Sequence, residues 1–356
     1  MKNIVHIVGN RPQFIKLAVL HEELARHDYF LQKIIHTGQH ASSDMSSVFF
    51  HQLNIPEPDL HLQIENTGNP DLFIGKTSAS IQQYFAENRN SIAFLFGDTN
   101  TTLAAALAAR RMGIPIYHFE AGIRTGDHSM PEEINRIITD RLADVNYCCT
   151  MKNFRNMEEE GYGRSIGSRI LLTGDLMYDA FLKIPFGKKP GLPAKKYVAS
   201  TIHRVANILS PENLSAIVEA LNNLNKELPV YMPLHPHTAR RLKEYHLKPT
   251  FTILDPMGYP EMKTFLSESE FIITDSGGAA REAFFCGKKS VIVMDKPFWP
   301  EILEAGCGMS TRADADEIGW TIAQLPGLRP EFHNPIFGKG NAAKLVAEDL
   351  AEKIPA

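Results

Sequence analysis

The chain has 356 residues, more than one ordinary hydrophobic core holds and comfortable for two domains. Its hydrophobic fraction of 44% and charged fraction of 22% are those of a globular protein. A net charge of −4 excludes a general polyanion binder, so nucleic acid is not an expected partner, and any grip on phosphate must be made by a few local residues.

The opening MKNIVHIVG reads as a first strand, too short for a signal peptide or a membrane span, and no later apolar run approaches membrane length. Four cysteines, Cys148, Cys149, Cys286 and Cys307, do not make a disulfide framework at this length. Cys148 and Cys149, neighbours in an apolar run, are expected to be small buried residues. Together these point to a soluble cytoplasmic protein with no membrane contact.

Short apolar runs recur along the chain, each ending in a small or polar residue and each followed by a helical pattern. In the first half they lie at Ile4–Gly9, Lys33–Thr37, Ala93–Asp98, Pro115–Glu120, Val145–Thr150 and Ile170–Asp175. In the second half they lie at Tyr197–His203, Val230–His235, Phe251–Asp255, Phe271–Asp275 and Ser290–Asp295. Near-continuous apolar strands alternating with helices belong to buried parallel sheets. Eleven overload one open sheet, which predicts two Rossmann-like α/β domains whose parallel sheets face a central cleft. The best linker signal is PFGKKPGLP at Pro185–Pro193, dividing a domain over 1–184 from one over 194–340. The last helical stretch, within 341–356, is free to pack on either domain, including back on the first.

Polar residues sit at the carboxyl ends of these strands, where open α/β sheets bind ligands. In Val8-Gly9-Asn10-Arg11-Pro12-Gln13-Phe14-Ile15-Lys16 a strand gives way to a helix near Pro12. Arg11 and Lys16 then lie near a helix N-terminus, which favours anions, although a plain surface charge remains open for both. In Phe271–Glu282 a strand runs into Asp275-Ser276-Gly277-Gly278 and a helix start. The two glycines would let a phosphate approach the backbone, and Glu282, about one turn on, could hold ribose hydroxyls. A mere capping role for Asp275 and Ser276 stays open.

Carboxylates form the next group. Asp98 and Glu120 end adjacent strands and point into one crevice, and Glu132 and Glu133 follow in Met130–Arg136. Clustered carboxylates shift one another's pKa and become usable as general acid and base. For Glu133 a cap or salt bridge is the better reading. His203 and His235 end strands of the second domain, with no metal-binding pattern that persuades, so no metal is expected. The sequence has no GxGxxG, P-loop, nucleophile elbow or HExxH, which argues against a bound nicotinamide, and no cofactor is expected.

At this point the residues carry a resemblance. Gly9-Asn-Arg11-Pro-Gln-Phe-Ile-Lys16, Thr37-Gly-Gln39-His40, Gly97-Asp98-Thr99-Asn-Thr-Thr102, His118-Phe-Glu120-Ala-Gly-Ile-Arg124-Thr125 and Pro131–Arg136 follow in order. So do Thr-Ile-His203-Arg204, Leu-His235-Pro236, Asp275-Ser-Gly-Gly278 and Asn334-Pro-Ile-Phe-Gly-Lys-Gly-Asn-Ala-Ala. This ordered set resembles the non-hydrolysing UDP-N-acetylglucosamine 2-epimerases, which have the glycosyltransferase-B fold. The resemblance implies acid–base roles for Asp98, Glu120, Glu132 and His203. It implies UDP contacts at Arg11, His235, Ser276, Gly277, Gly278 and Glu282, a functional Lys16, a UDP-sugar substrate and a homodimer. Where the family often has an Arg directly before Pro-Glu, this chain has Lys296-Pro-Phe298-Trp299-Pro300-Glu301, and Arg281 stands where an acid or Gln is more usual.

The implied reaction is inversion at C2 of a UDP-linked N-acetylamino sugar. A C2–H beside an acetamido group is not acidic enough for direct removal. Without a nicotinamide, the remaining route is elimination of UDP to a 2-acetamidoglucal and its re-addition. A branch acting on UDP-2,3-diacetamido-2,3-dideoxyglucuronate, whose uronate could meet Arg281 or Lys296, is the second reading. A hydrolysing relative and a glycosyltransferase of the same fold are further alternatives.

Overall fold

The computed structural model describes residues 3–28, 30–38, 50–64, 68–189 and 191–353, so Gln39 and His40 of the TGQH motif lie outside the described residues. The chain forms two compact units, Met1–Lys183 with Pro335–Ala356, and Ile184–Asn334.

In the first unit, strands β1 (Asn3–Val8), β2 (Leu31–His36), β3 (Leu60–His61), β4 (Ser91–Phe96), β5 (Ile116–Ala121), β6 (Val145–Cys148) and β7 (Arg169–Leu172) make one sheet. All pairings are parallel and the order is 3-2-1-4-5-6-7. Every residue of β4, Ser-Ile-Ala-Phe-Leu-Phe, is buried, as a strand covered on both faces requires. Its helices include α1 (Arg11–Leu24), α2 (Pro70–Glu87), α3 (Asn100–Arg111), α4 (Pro131–Leu142), α5 (Met151–Glu159) and α6 (Leu176–Lys183). The alanines of α3 are strong helix formers, and five of them join the apolar layer beneath β1 and β4 or stay fully covered.

The second unit repeats the plan with β8 (Val198–Thr201), β9 (Val230–Pro233), β10 (Thr252–Leu254), β11 (Ile272–Thr274), β12 (Ser290–Val293) and β13 (Gly308–Thr311). The order 10-9-8-11-12-13 is the same winding, again all parallel. Its helices are α7 (Val205–Ile208), α8 (Pro211–Asn225), α9 (Pro236–Glu244), α10 (Tyr259–Glu268), α11 (Gly277–Phe285), α12 (Pro300–Glu304) and α13 (Ala315–Gln324). Two strands beyond the eleven expected are present, β3 and β13. One is two residues long and the other reads Gly-Met-Ser-Thr, so neither carries an apolar run.

In each unit the order reverses once, between β1 and β4 and between β8 and β11. Loops diverge there to opposite faces and leave room beyond the strand ends. The motifs at Gly9–Lys16, Gly97–Thr102, His203 and Asp275–Gly278 fall on these four strand ends, and those at Glu120 and His235 on the neighbouring β5 and β9.

The proline-rich segment after Lys183 is docked on the second unit. Gly187 donates to the Pro260 carbonyl at 2.9 Å, and Lys263 Nζ donates to the Ile184 carbonyl at 2.7 Å. A Cβ on Gly187 would lie 2.5 Å from Glu261 N, so only glycine allows this approach. From Pro335 the chain belongs to the first unit, ahead of the expected boundary at 340, and ends in α14 (Ala342–Lys353), which packs on α1 and α6. The Asp179 carboxylate caps α14 by accepting from Ala342 N at 3.1 Å and Ala343 N at 2.8 Å. Tyr147 Oη donates to Asp349 of α14 at 2.8 Å. Among the described residues no helix is long and apolar enough to cross a membrane.

Asp179→Ala removes both acceptors at the start of α14. The expected cost is about 1.5–3 kcal/mol, the scale of hydrogen bonds to a charged group, read as a lowered midpoint in urea unfolding. Asp179→Asn should recover part of it. An unchanged midpoint in the Ala variant would mean α14 is held without this cap.

Candidate active site

The first unit gathers its polar groups where β1, β4 and β5 end. Asn10 caps α1, accepting from Gln13 N, with Pro12 in the first turn. Arg11 is the first residue of that helix and half-buried. Gln13, 1% exposed, ties two strand ends together. Its Oε1 accepts from Gly9 N at 2.7 Å, and its Nε2 donates to the Phe96 carbonyl at 2.8 Å and the Thr102 hydroxyl at 3.1 Å.

Lys16 is no surface charge. It is 3% exposed, and its ammonium is ion-paired with Glu120. Glu120 is 8% exposed and sits at φ +67°, a left-handed conformation rare for a residue with a side chain. The register of β5 against β6 slips there, between Phe119 and Ala121. Such a bulge re-aims a side chain at the cost of strain, and here it turns the carboxylate toward Lys16. Gly97, at φ +67°, is the point of closest approach: a Cβ there would lie 3.0 Å from Glu120 Oε2 and 3.6 Å from Lys16 Nζ. Asp98 follows it immediately and pairs with Arg136. The structure therefore brings Lys16 and Glu120 together at Gly97, with Asp98 the next residue along the chain.

The helix α4 completes this half. Arg136, fully buried, pairs with both Asp98 and Glu133, and Asn135 Nδ2 donates to the Asp98 carbonyl at 3.0 Å. Glu132, half-buried, lies one turn before Arg136 and so on the same helix face. Among the described residues its carboxylate has no partner. Glu133 is 1% exposed and accepts from Thr125 N, Gly126 N and Arg136, which makes it a clamp on the loop after β5, the bland role expected of it.

His118 links the two strand ends from beneath. Its Nε2 meets the Gly97 carbonyl at 2.7 Å and its Nδ1 meets Asp140 at 2.8 Å, so both nitrogens face acceptors. Burial alone would raise the Asp140 carboxyl, but the bonds and charges of His118 and Arg124 outweigh it and hold that carboxyl below its ordinary value.

The second unit presents a different set. Asp275, fully buried, does not cap α11. It accepts from the backbone of His203 and Arg204 and from Asn207 Nδ2 at 3.0 Å, fixing the turn after β8. His203 is exposed beyond that turn, and its ring lies 5.9 Å from that of His235. His235 caps α9, its Nδ1 accepting from His237 N. Ser276 caps α11 through its Oγ, which accepts from Ala279 N at 3.3 Å, and its own N–H donates to the Thr274 hydroxyl. The amides of Gly277 and Gly278 are then the orphan donors of the helix start. Glu282 is half-buried one turn further.

Two features of this turn bear on what was expected of it. Gly277 is not open to a phosphate on its side-chain side: a Cβ would strike the Phe298 ring at 2.4 Å. Gly278 has the free space, with only Ser276 Oγ at 3.6 Å. Arg281 is 4% exposed with its guanidinium over the Trp299 ring at 4.8 Å, so it is a packed cation and not a free one for a uronate. Trp299 also donates from Nε1 to the Gly277 carbonyl at 3.0 Å. Phe298 and Trp299 thus brace the glycine turn where the resemblance would place an Arg. Lys296 is exposed.

Gln13, His118, Arg136 and Asp140 were not singled out from sequence. The available signal was a hydrogen-bonding side chain inside an otherwise apolar strand or helix face, as His118 is within Ile-Tyr-His-Phe.

Gly277→Ala should destabilise by about 1–3 kcal/mol through the displaced Phe298 ring. Gly278→Ala should leave the thermal midpoint unchanged or slightly higher. Equal midpoints for the two variants in thermal unfolding would remove Phe298 as the reason for Gly277.

The fold agrees with what the chain is similar to. Residues 22–351 match the family model described as UDP-N-acetylglucosamine 2-epimerase. The chain is 37% identical over 355 residues to the UDP-2,3-diacetamido-2,3-dideoxy-D-glucuronate 2-epimerase of Pseudomonas aeruginosa, covering 98% of this chain and 99% of that one. It is 32% identical over 374 residues to the UDP-N-acetylglucosamine 2-epimerase of Methanococcus maripaludis, covering all of both. The crystal structure of the Methanocaldococcus jannaschii UDP-GlcNAc 2-epimerase with UDP-GlcNAc and UDP superposes with a TM-score of 0.88 at 27% identity, covering 98% of this chain and 99% of that one. With a family model spanning most of its length and relatives above 30% identity over their whole length, the chain belongs to the UDP-N-acetylglucosamine 2-epimerase family.

Proposed function

We propose that the protein inverts C2 of a UDP-linked N-acetylamino sugar, with UDP-N-acetylglucosamine going to UDP-N-acetylmannosamine as the first reading. The observation that carries it is the buried Lys16–Glu120 pair set against Gly97, with Asp98 the next residue along the chain and paired with the buried Arg136. In this reading a carboxylate removes the C2 proton, the C1–O bond breaks, and UDP leaves as its anion. The 2-acetamidoglucal is then protonated at C2 on the opposite face, and a UDP oxygen returns to C1. Asp98, Glu120, Glu132 and His203 supply the acid–base groups. Arg11, His235, Ser276, the Gly277 and Gly278 amides and Glu282 hold UDP, with the helix start stabilising charge on the departing diphosphate. Lys16 acts through its pair with Glu120. In this reading three of the four acid–base groups, Asp98, Glu120 and Glu132, lie in the first unit, and the UDP contacts other than Arg11 lie in the second.

A second reading, UDP-2,3-diacetamido-2,3-dideoxyglucuronate, is favoured by the 37% identity to an enzyme named for that sugar. The exposed Lys296, not the stacked Arg281, would then be the cation for a uronate. The same proposal places the enzyme in the cytoplasm, which its free cysteines fit, and makes it a homodimer, which rests on resemblance alone.

Incubation with each UDP-sugar in D₂O, followed by NMR, tests the reaction. The epimerised product should carry deuterium at C2. A hydrolysing enzyme would accumulate free UDP, and a glycosyltransferase would label nothing. Asp98→Asn and Glu120→Gln should each lower kcat by about 100-fold or more while UDP affinity, measured by calorimetry, holds. Epimerisation with C2 fully protiated would contradict the elimination route.

A further inference from the structure

We propose that Asp175 is a positioning residue for Glu120, lining the same cavity and, with Lys16, setting how readily Glu120 exchanges a proton. The inference rests on the acid–base role of Glu120 proposed above. The cavity lies wholly in the first unit, walled by Lys16, Glu120, Tyr147, Cys149, Gly174 and Asp175. A carboxylate oxygen of Glu120, the Cys149 sulfur and a carboxylate oxygen of Asp175 all lie within 4.8 Å of one another. Asp175 is fully buried.

Its placement is built in. Asp175 N donates to the Phe337 carbonyl at 3.0 Å, from the segment that returns to this unit. Gly174, at φ +87°, lets that segment come close: a Cβ there would sit 3.0 Å from the same carbonyl oxygen. One Asp175 oxygen accepts from Met177 N at 2.8 Å at the start of α6. A cap of this kind could equally be Ser, Thr or Asn, and it does not explain a carboxylate buried beside a second one.

The groups facing Glu120 come from several elements. Lys16 comes from α1, and Cys149 and Tyr147 come from the β6 end. Asp175 follows β7. Tyr147 is neutral, its phenol pushed up first by burial and then by the Asp349 it bonds. Two acids and a thiol have the makings of a cation site, but the Lys16 ammonium already stands beside Glu120 as the positive charge. A like charge across the cavity disfavours the ionised form of Glu120.

Asp175→Asn keeps an oxygen for Met177 N and removes the charge, so Glu120 should ionise more readily. Whether Glu120 serves as base or acid, the pH profile of kcat should then move to lower pH, by about one unit. UDP affinity should stay within about twofold, as for a group outside the nucleotide site. The measurement uses the full chain and whichever of the two UDP-sugars turns over. A profile that superimposes on the parent's overturns the proposal. If the Asn variant does not fold, Asp175→Ser, another neutral cap, carries the same test, and failure of both to fold assigns Asp175 to stability alone. Glu120→Gln is the control: C2 exchange that survives it refutes the acid–base reading itself, whereas exchange lost there with an unmoved Asn profile refutes only the role of Asp175.

Discussion

The buried ion pair between Lys16 and Glu120 is the constraint around which the first unit's strand ends are arranged. Removing one partner of such a pair leaves an uncompensated buried charge, a loss of about 3–5 kcal/mol. The pair also requires Glu120 to leave extended geometry, so β5 bulges at that residue. Gly97 is held at positive φ with the carboxylate close to it, which calls for glycine there, and Asp98 is the next residue along the chain. Gln13 and His118 supply the ties that keep β1, β4 and β5 in that relation.

The second unit solves a different problem with the same winding. Its switch point is organised by Asp275, whose carboxylate collects two backbone amides and an Asn side chain from the turn after β8. That frees the small residues after it to begin α11, where Ser276 caps and the glycine amides remain as donors. The aromatic pair Phe298 and Trp299 stiffens this turn from outside, and Arg281 stacks on it. Family relatives act on different UDP-sugars by their names, and this brace, which replaces an expected Arg contact, is a place where such branches can differ.

Strand ends and helix starts were legible in the sequence because both rest on local physics. Apolar runs of five or six residues closing in Gly-Asp, Glu or His read as buried strands feeding polar crevices, and Pro12 and Ser276 read as helix starts. The two-unit architecture followed from the number of runs. By contrast, β3 and β13 were not legible, since a two-residue strand and a Gly-Met-Ser-Thr strand exist only by pairing with a neighbour.

Partnership between distant residues was decided by the tertiary structure alone. Nothing in the local pattern distinguishes Lys16, deep in an apolar helix, from a surface lysine; its burial follows from Glu120, 104 residues away, reaching back to it. The reason for Gly277 was equally hidden, because the Phe298 ring that excludes a side chain comes from another loop. In sequence Asp175 is only the last residue of the run Ile170–Asp175. Only the return of Pro335–Ala356 to the first unit, and the close approach of Phe337 to Gly174, set its carboxylate against a second one in one cavity. Local sequence determines which chemistry each strand end carries, while charge pairing and steric exclusion, which act between residues far apart in the chain, determine which of those groups meet.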